Sequence, residues 1–83
     1  MNSLIENIGK LHTTEMGEER IKRNLQIETD NIVEWCIDKI LDKNAETERI
    51  GKNWYISVKG CRITVNANSY TIITAHKITS GVI

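Results

Sequence analysis

Two histidines, His12 and His76, are the residues of this chain best suited to acid–base chemistry. Imidazole gives and takes protons near neutral pH. His76 lies in a β-rich run with Thr74 and Lys77, and Tyr55 and Arg62 fall in the two runs before it. Arg and Lys stabilise charge that develops on a phosphate. Exposed tyrosines such as Tyr55 and Tyr70 can stack a nucleobase. A base for the ribose 2′-hydroxyl and cations for the phosphate suffice for RNA cleavage without a metal. The candidate catalytic residues are therefore His76, Thr74, Arg62 and His12. Arg20, Arg23, Lys52, Tyr55, Lys77 and Tyr70 are the candidate contacts to phosphate or RNA. The plainer alternative is a strand histidine satisfied by its neighbours, with Lys77 a gatekeeper charge at a strand end.

Other chemistries have less support. Two histidines and two cysteines without short ligand spacing do not suggest a zinc site, which needs about three or four converging ligands. Neither G-x-G-x-x-G nor a P-loop is present, and there is no G-x-S-x-G elbow. No cofactor is expected. Carboxylates are concentrated in the helical part, where solvated faces account for them.

The candidate residues need a sheet to position them. Asn53 to Val58 alternates Trp54, Ile56 and Val58 with Tyr55 and Ser57. Cys61 to Asn66 alternates Cys61, Ile63 and Val65 with Arg62, Thr64 and Asn66. Such period-two runs read as strands. The two-residue link Lys59-Gly60 suits a tight hairpin. It pairs Val58 with Cys61, Ile56 with Ile63 and Trp54 with Val65, so the apolar sets share a face. A third run, Tyr70 to Ile78, follows the turn Asn66-Ala67-Asn68-Ser69. An odd-length loop turns Ile73 and Ala75 to the core; an even one turns Tyr70, Ile72 and Thr74 there. We expect the odd loop, which leaves Thr74 and His76 on a polar face with Tyr55, Ser57, Arg62, Thr64 and Asn66. That face is expected to carry no carboxylate. Ala45 to Ile50 is expected as a first, edge strand, turning at Gly51-Lys52.

The helices precede the sheet. Ser3 to Glu6 has capping-box spacing, and Gly9 is expected to stop a short first helix. Thr13 or Thr14 can cap a helix to about Leu25. Its acids come first and its bases last, which suits the helix dipole. Arg20 and Arg23, three apart, can project from one side. Thr29 or Asp30 is expected to cap a helix through about Asp42, whose stripe Ile32, Val33, Cys36, Ile37, Ile40 and Leu41 packs on the sheet. Glu34, Asp38 and Asp42 line its outer side. The reading is a single α+β domain over residues 1–83. Its helical part spans about 3–43, its antiparallel sheet of three or four strands about 45–78, and a tail 79–83.

A chain of 83 residues buries about 60–65% of its unfolded surface and gains from oligomerisation, so a homo-oligomer is expected. There is no apolar run long enough to span a membrane and no signal-peptide pattern, and Cys36 and Cys61 read as reduced core residues. A cytoplasmic protein is expected. Eleven bases balance eleven acids, which weighs against a strongly basic nucleic-acid binder. Their distribution is uneven. Every acid lies between Glu6 and Glu48, while Arg49, Lys52, Lys59, Arg62 and Lys77 follow with no acid among them. The basic part suits an anionic partner. Neutralisation by the acidic helices, within or between chains, is the competing explanation.

The segments LHTTEMGEERIKRNL, EWCIDKILDKNA and GKNWYISV…RITVNANSYTIITAHKI resemble a small bacterial family catalogued as a domain of unknown function, over Leu11 to Ile78. The helical beginning and a sheet ending in IITAHK also resemble the barnase–EndoU–colicin–RelE group of metal-independent ribonucleases. That likeness implies cleavage of RNA on the open face of the sheet, with Thr74 and His76 on the last strand, Arg62 across from them, and His12, Arg20 and Arg23 from the helical side. It also implies a protein partner such as an antitoxin. The competing expectation is a non-catalytic, oligomeric binding protein that inhibits a bacterial defence system or sequesters a nucleotide.

Overall fold

A computed structural model describes residues 3–78, and the tail expected over 79–83 lies outside them. Three helices precede a four-stranded antiparallel sheet, an α+β arrangement. Helix α1 is Ser3–Glu6, and a 3-10 turn, Ile8–Lys10, holds Gly9 inside it rather than at a helix stop. Helix α2, Glu15–Leu25, begins where Thr14 accepts from the Gly17 N–H. It closes on Gln26 in the left-handed region, with the Ile27 N–H reaching the Lys22 carbonyl. Helix α3, Ile32–Ile40, is capped by Asn31, which accepts from the Glu34 N–H at 3.0 Å. This corrects the expected Thr29 or Asp30 cap. Asn is as good a cap as Asp, and the Thr29 hydroxyl is engaged in accepting the Asn31 N–H.

Strands β1 (Glu46–Ile50), β2 (Asn53–Val58), β3 (Cys61–Asn66) and β4 (Ile72–Lys77) lie side by side in chain order. The β2–β3 pairing is Trp54 with Val65, Ile56 with Ile63 and Val58 with Cys61, as the alternation requires. Lys59 and Gly60 both have positive φ, the condition for a type I′ turn. Leu4, Leu11, Ile21, Leu25, Ile32, Cys36 and Ile40 bury against Trp54, Ile56, Val58, Ile63, Val65, Ile72 and Ala75. All the helices therefore serve one face of the sheet. At about 1.5–3 kcal/mol for each fully buried aliphatic side chain, this one-sided core outweighs any single polar contact in the fold.

The last strand departs from strict alternation. Thr64 pairs with Thr74 and Val65 with Ile72, so a bulge inserts Ile73. Ile72 and Ala75 are buried, while Ile73 is 37% exposed. The expectation that Ile73 faces the core is thus overturned. The bulge lets an even-loop residue, Ile72, and an odd-loop residue, Ala75, both point inward, and it still leaves Thr74 and His76 outward.

Strand β1 brings a second correction. Glu46 pairs with Ser57 and Glu48 with Tyr55, so the open face carries two carboxylates. The outer edge of β4 is covered. Residues 12 and 13 lie along its start, and α2 runs beside it, with the Asn24 amide donating to the Ala75 carbonyl at 3.3 Å. Covering an edge in this way blocks further strand pairing. No described helix is long and apolar enough to cross a membrane.

Candidate functional site on the open face of the sheet

Strand register sets the polar face. One lateral row reads Glu46, Ser57, Arg62, His76, and the next reads Glu48, Tyr55, Thr64, Thr74. Directly opposed residues have Cβ atoms roughly 4.5–5.5 Å apart, so Arg62 and His76 are immediate neighbours. Both are exposed. The Arg62 guanidinium lies 5.6 Å from the centre of the Tyr55 ring, a cation–π distance that orients it without neutralising it. Among the described residues Arg62 pairs with no carboxylate, and the His76 ring makes no hydrogen bond. Thr74 accepts from the Asn24 amide at 3.3 Å. A shallow depression lined by Glu46, Thr47, Glu48, Tyr55 and Ser57 opens beside the cation.

His12 reaches the same sheet from outside it. It forms a parallel bridge with Thr71, one residue before β4. Its N–H donates to the Tyr70 carbonyl at 3.2 Å, and its carbonyl accepts from the Ile72 N–H at 2.7 Å. Leu11 is buried and His12 exposed, so alternation turns the imidazole to the open side together with Thr71. The ring is held at both nitrogens. Nδ1 lies 3.0 Å from the Lys10 carbonyl and Nε2 3.1 Å from Thr71 Oγ1. Thr71 Oγ1 in turn sits 2.7 Å from Ser69 Oγ. Tyr70, between these two hydroxyl residues, has φ of 60°, a costly conformation for an aromatic residue and one that tends to mark functional sites.

The candidate residues divide accordingly. Arg62, His76, Thr74 and Tyr55 come together. His12 shares their face at the other end of β4: Thr71 and His76 are five positions apart, about 16 Å at the usual strand rise. Arg20 stands one helical turn before Asn24, so it projects on the side of α2 that faces β4. Arg23 turns further toward solvent, and both are exposed. Lys52 is exposed in the β1–β2 turn, where its carbonyl accepts from the Ala67 N–H, near the His12 end. Two candidates lie elsewhere. Tyr70 packs on the core side, 5.4 Å from the Trp54 ring, with Lys10 above it at 5.7 Å, so its ring is occupied rather than open to a base. Lys77 falls in the row of Cys61 and donates to Gln26 Oε1 at 3.1 Å.

Asn24, Thr71, Ser69, Glu46 and Glu48 were not singled out by sequence. Asn24 leaves one trace, a poor helix former inside a helix. Thr71 leaves none, because its partner is 59 residues away. Among the described residues no group of three His, Cys, Asp or Glu is placed to hold a metal ion. A family model described as protein of unknown function (DUF3781) matches residues 5–76. No curated protein and no solved structure matches the chain.

Proposed function

We propose, for a chain that belongs to the DUF3781 family and takes no activity from that membership, that it binds and cleaves single-stranded RNA on the open face of its sheet without a metal. The observation that carries this reading is the unneutralised Arg62 beside His76 and Tyr55, on the face that the helices leave uncovered. A guanidinium meets a phosphate with paired donors, and an imidazole next to it adds a second contact. The free side of the Tyr55 ring offers a plate for a base. The acid-lined depression beside Tyr55 keeps this cation patch small, which fits a single strand with a few phosphate contacts better than a duplex. In this reading the protein acts in the cytoplasm, and a protein partner of antitoxin type would act by covering this face.

The test is incubation of the purified protein, in EDTA, with total RNA and with a labelled single strand. Cleavage is expected. Arg62→Ala combined with His76→Ala is expected to weaken binding of the strand at least about tenfold. A wild-type protein that neither binds nor cleaves RNA removes the reading.

A second reading, a non-catalytic oligomeric binding protein such as a defence-system inhibitor or a nucleotide-sequestering protein, is favoured by the β1 edge. That edge is uncovered among the described residues, and Ile50 and Leu41 are 56% and 50% exposed. It predicts a stable oligomer without turnover. A monomer by sedimentation that retains no nucleotide would end it.

A further inference from the structure

We propose that His12 is the general base of this reaction, and that the bond cleaved lies at the His12–Thr71 end of β4 while Arg62 and His76 hold a neighbouring phosphate. This rests on the RNA-cleaving reading above.

The two imidazoles cannot serve one phosphodiester. A general base must come within about 2.6–3.2 Å of the proton it removes, and the two histidines stand at opposite ends of a strand. Their surroundings separate their roles. A carbonyl oxygen only accepts, so the contact with the Lys10 carbonyl at 3.0 Å fixes the proton of His12 on Nδ1. Nε2 is left with its lone pair, and the Thr71 hydroxyl donates to it at 3.1 Å. Thr71 Oγ1 also lies 2.7 Å from Ser69 Oγ, whose own hydroxyl donates to Asn66 Oδ1 at 3.2 Å. In its neutral form His12 thus carries its proton on Nδ1, with a hydroxyl already seated at Nε2. A ribose 2′-hydroxyl that takes the place of the Thr71 hydroxyl meets the same acceptor.

The frame around His12 is rigid. Backbone hydrogen bonds hold residue 12 on both its N–H and its carbonyl, and the Thr13 hydroxyl donates to the Ile72 carbonyl at 2.9 Å. Such fixed placement is what makes a base effective. His76 has no comparable partner for either nitrogen among the described residues. A further cation beside this strand is Arg20, exposed on the β4-facing side of α2.

The chemical step balances without a further reactant. His12 Nε2 removes the proton of the 2′-hydroxyl, and the 2′-oxygen forms a bond to phosphorus as the bond from phosphorus to the 5′-oxygen breaks. The 5′-alkoxide takes a proton from water, and the resulting hydroxide is neutralised by the imidazolium. The products are a 2′,3′-cyclic phosphate and a 5′-hydroxyl.

The experiment compares steady-state cleavage of a labelled oligoribonucleotide with binding of its all-2′-deoxy analogue, which cannot be cleaved. His12→Ala is expected to lower kcat about 100-fold or more, the scale of one general base, with analogue affinity within about twofold. Added imidazole is expected to restore part of the kcat, an effect that loss of packing alone would not give. His76→Asn is expected to raise KM and weaken the analogue. A His12→Ala protein that keeps its kcat, or lost activity that imidazole restores in His76→Ala and not in His12→Ala, overturns the assignment while leaving RNA cleavage standing. A wild-type protein that binds RNA and cleaves none overturns this assignment and the cleavage reading together.

Discussion

Burial pushes the Cys36 thiol up to about 12, and the nearby Cys61 adds to the rise. The folded protein thus holds this proton more tightly than the unfolded chain does. Its contribution to stability is complete below the ordinary value of 9.0 and is lost as the pH climbs toward 12. Cys36 is fully buried and Cys61 partly exposed. Iodoacetamide at pH 8 is therefore expected to label Cys61 in the native protein and Cys36 only after unfolding, read by peptide mass mapping. Asp42 shifts the other way. The Asn44 N–H, 2.7 Å from its carboxylate, and then Lys59 at 3.2 Å hold it below the usual carboxylate range. A depressed carboxylate stabilises the fold above its ordinary value of 3.8 and loses that effect as the pH falls below it. Asp42→Asn is expected to lower Tm slightly at pH 7 and to leave it nearly unchanged at pH 2.

Among the elements, the junction between α2 and β4 is the most exacting. Gly17 is buried, and a Cβ there would collide with the Thr13 hydroxyl. Gly17→Ala favours an isolated helix by about 1 kcal/mol. In the protein it forces Thr13 to release the Ile72 carbonyl, a hydrogen bond worth about 0.5–1.5 kcal/mol, and it disturbs the fit of α2 against β4. The expected outcome is a lower Tm together with weaker hydrogen-exchange protection of the Ile72 amide, which His12 holds. At the sheet centre the sign is simpler. Ile56 is fully buried between strands that pack beneath α3, so Ile56→Ala is expected to cost about 2–5 kcal/mol by urea denaturation. The β2–β3 hairpin was legible in sequence because turn length and alternation agree at Lys59-Gly60. The β4 bulge was not, because the residues that fix it, Gly17 and Asn24 on α2 and residues 12 and 13, act across the edge of the strand.

Across the whole molecule, neutrality conceals a division. The strands and their connecting turns keep five bases, with Glu46 and Glu48 as their only acids, and those two carboxylates face the same side as Arg62. RNA binding on this face is expected to depend on salt through a few contacts only. With about three phosphate contacts, the slope of log affinity against log salt is about −2 for a single strand. Arg62→Ala is expected to flatten it by about 0.7. An anisotropy titration at several salt concentrations measures both, and a slope near zero in the wild type would remove phosphate contact from the reading.

Sequence alone determined the α+β order, the β2–β3 register and the outward position of Arg62, because those follow from local alternation and a two-residue turn. It also named both histidines. Only the tertiary structure decided that Ile72 rather than Ile73 is buried, that Glu46 and Glu48 join the polar face, and that His12 and His76 stand at opposite ends of β4. These outcomes depend on strand pairing and on contacts between residues fifty or more positions apart. Period-two alternation does not encode such contacts, since a single bulge resets which residues face the core without changing the composition of the strand.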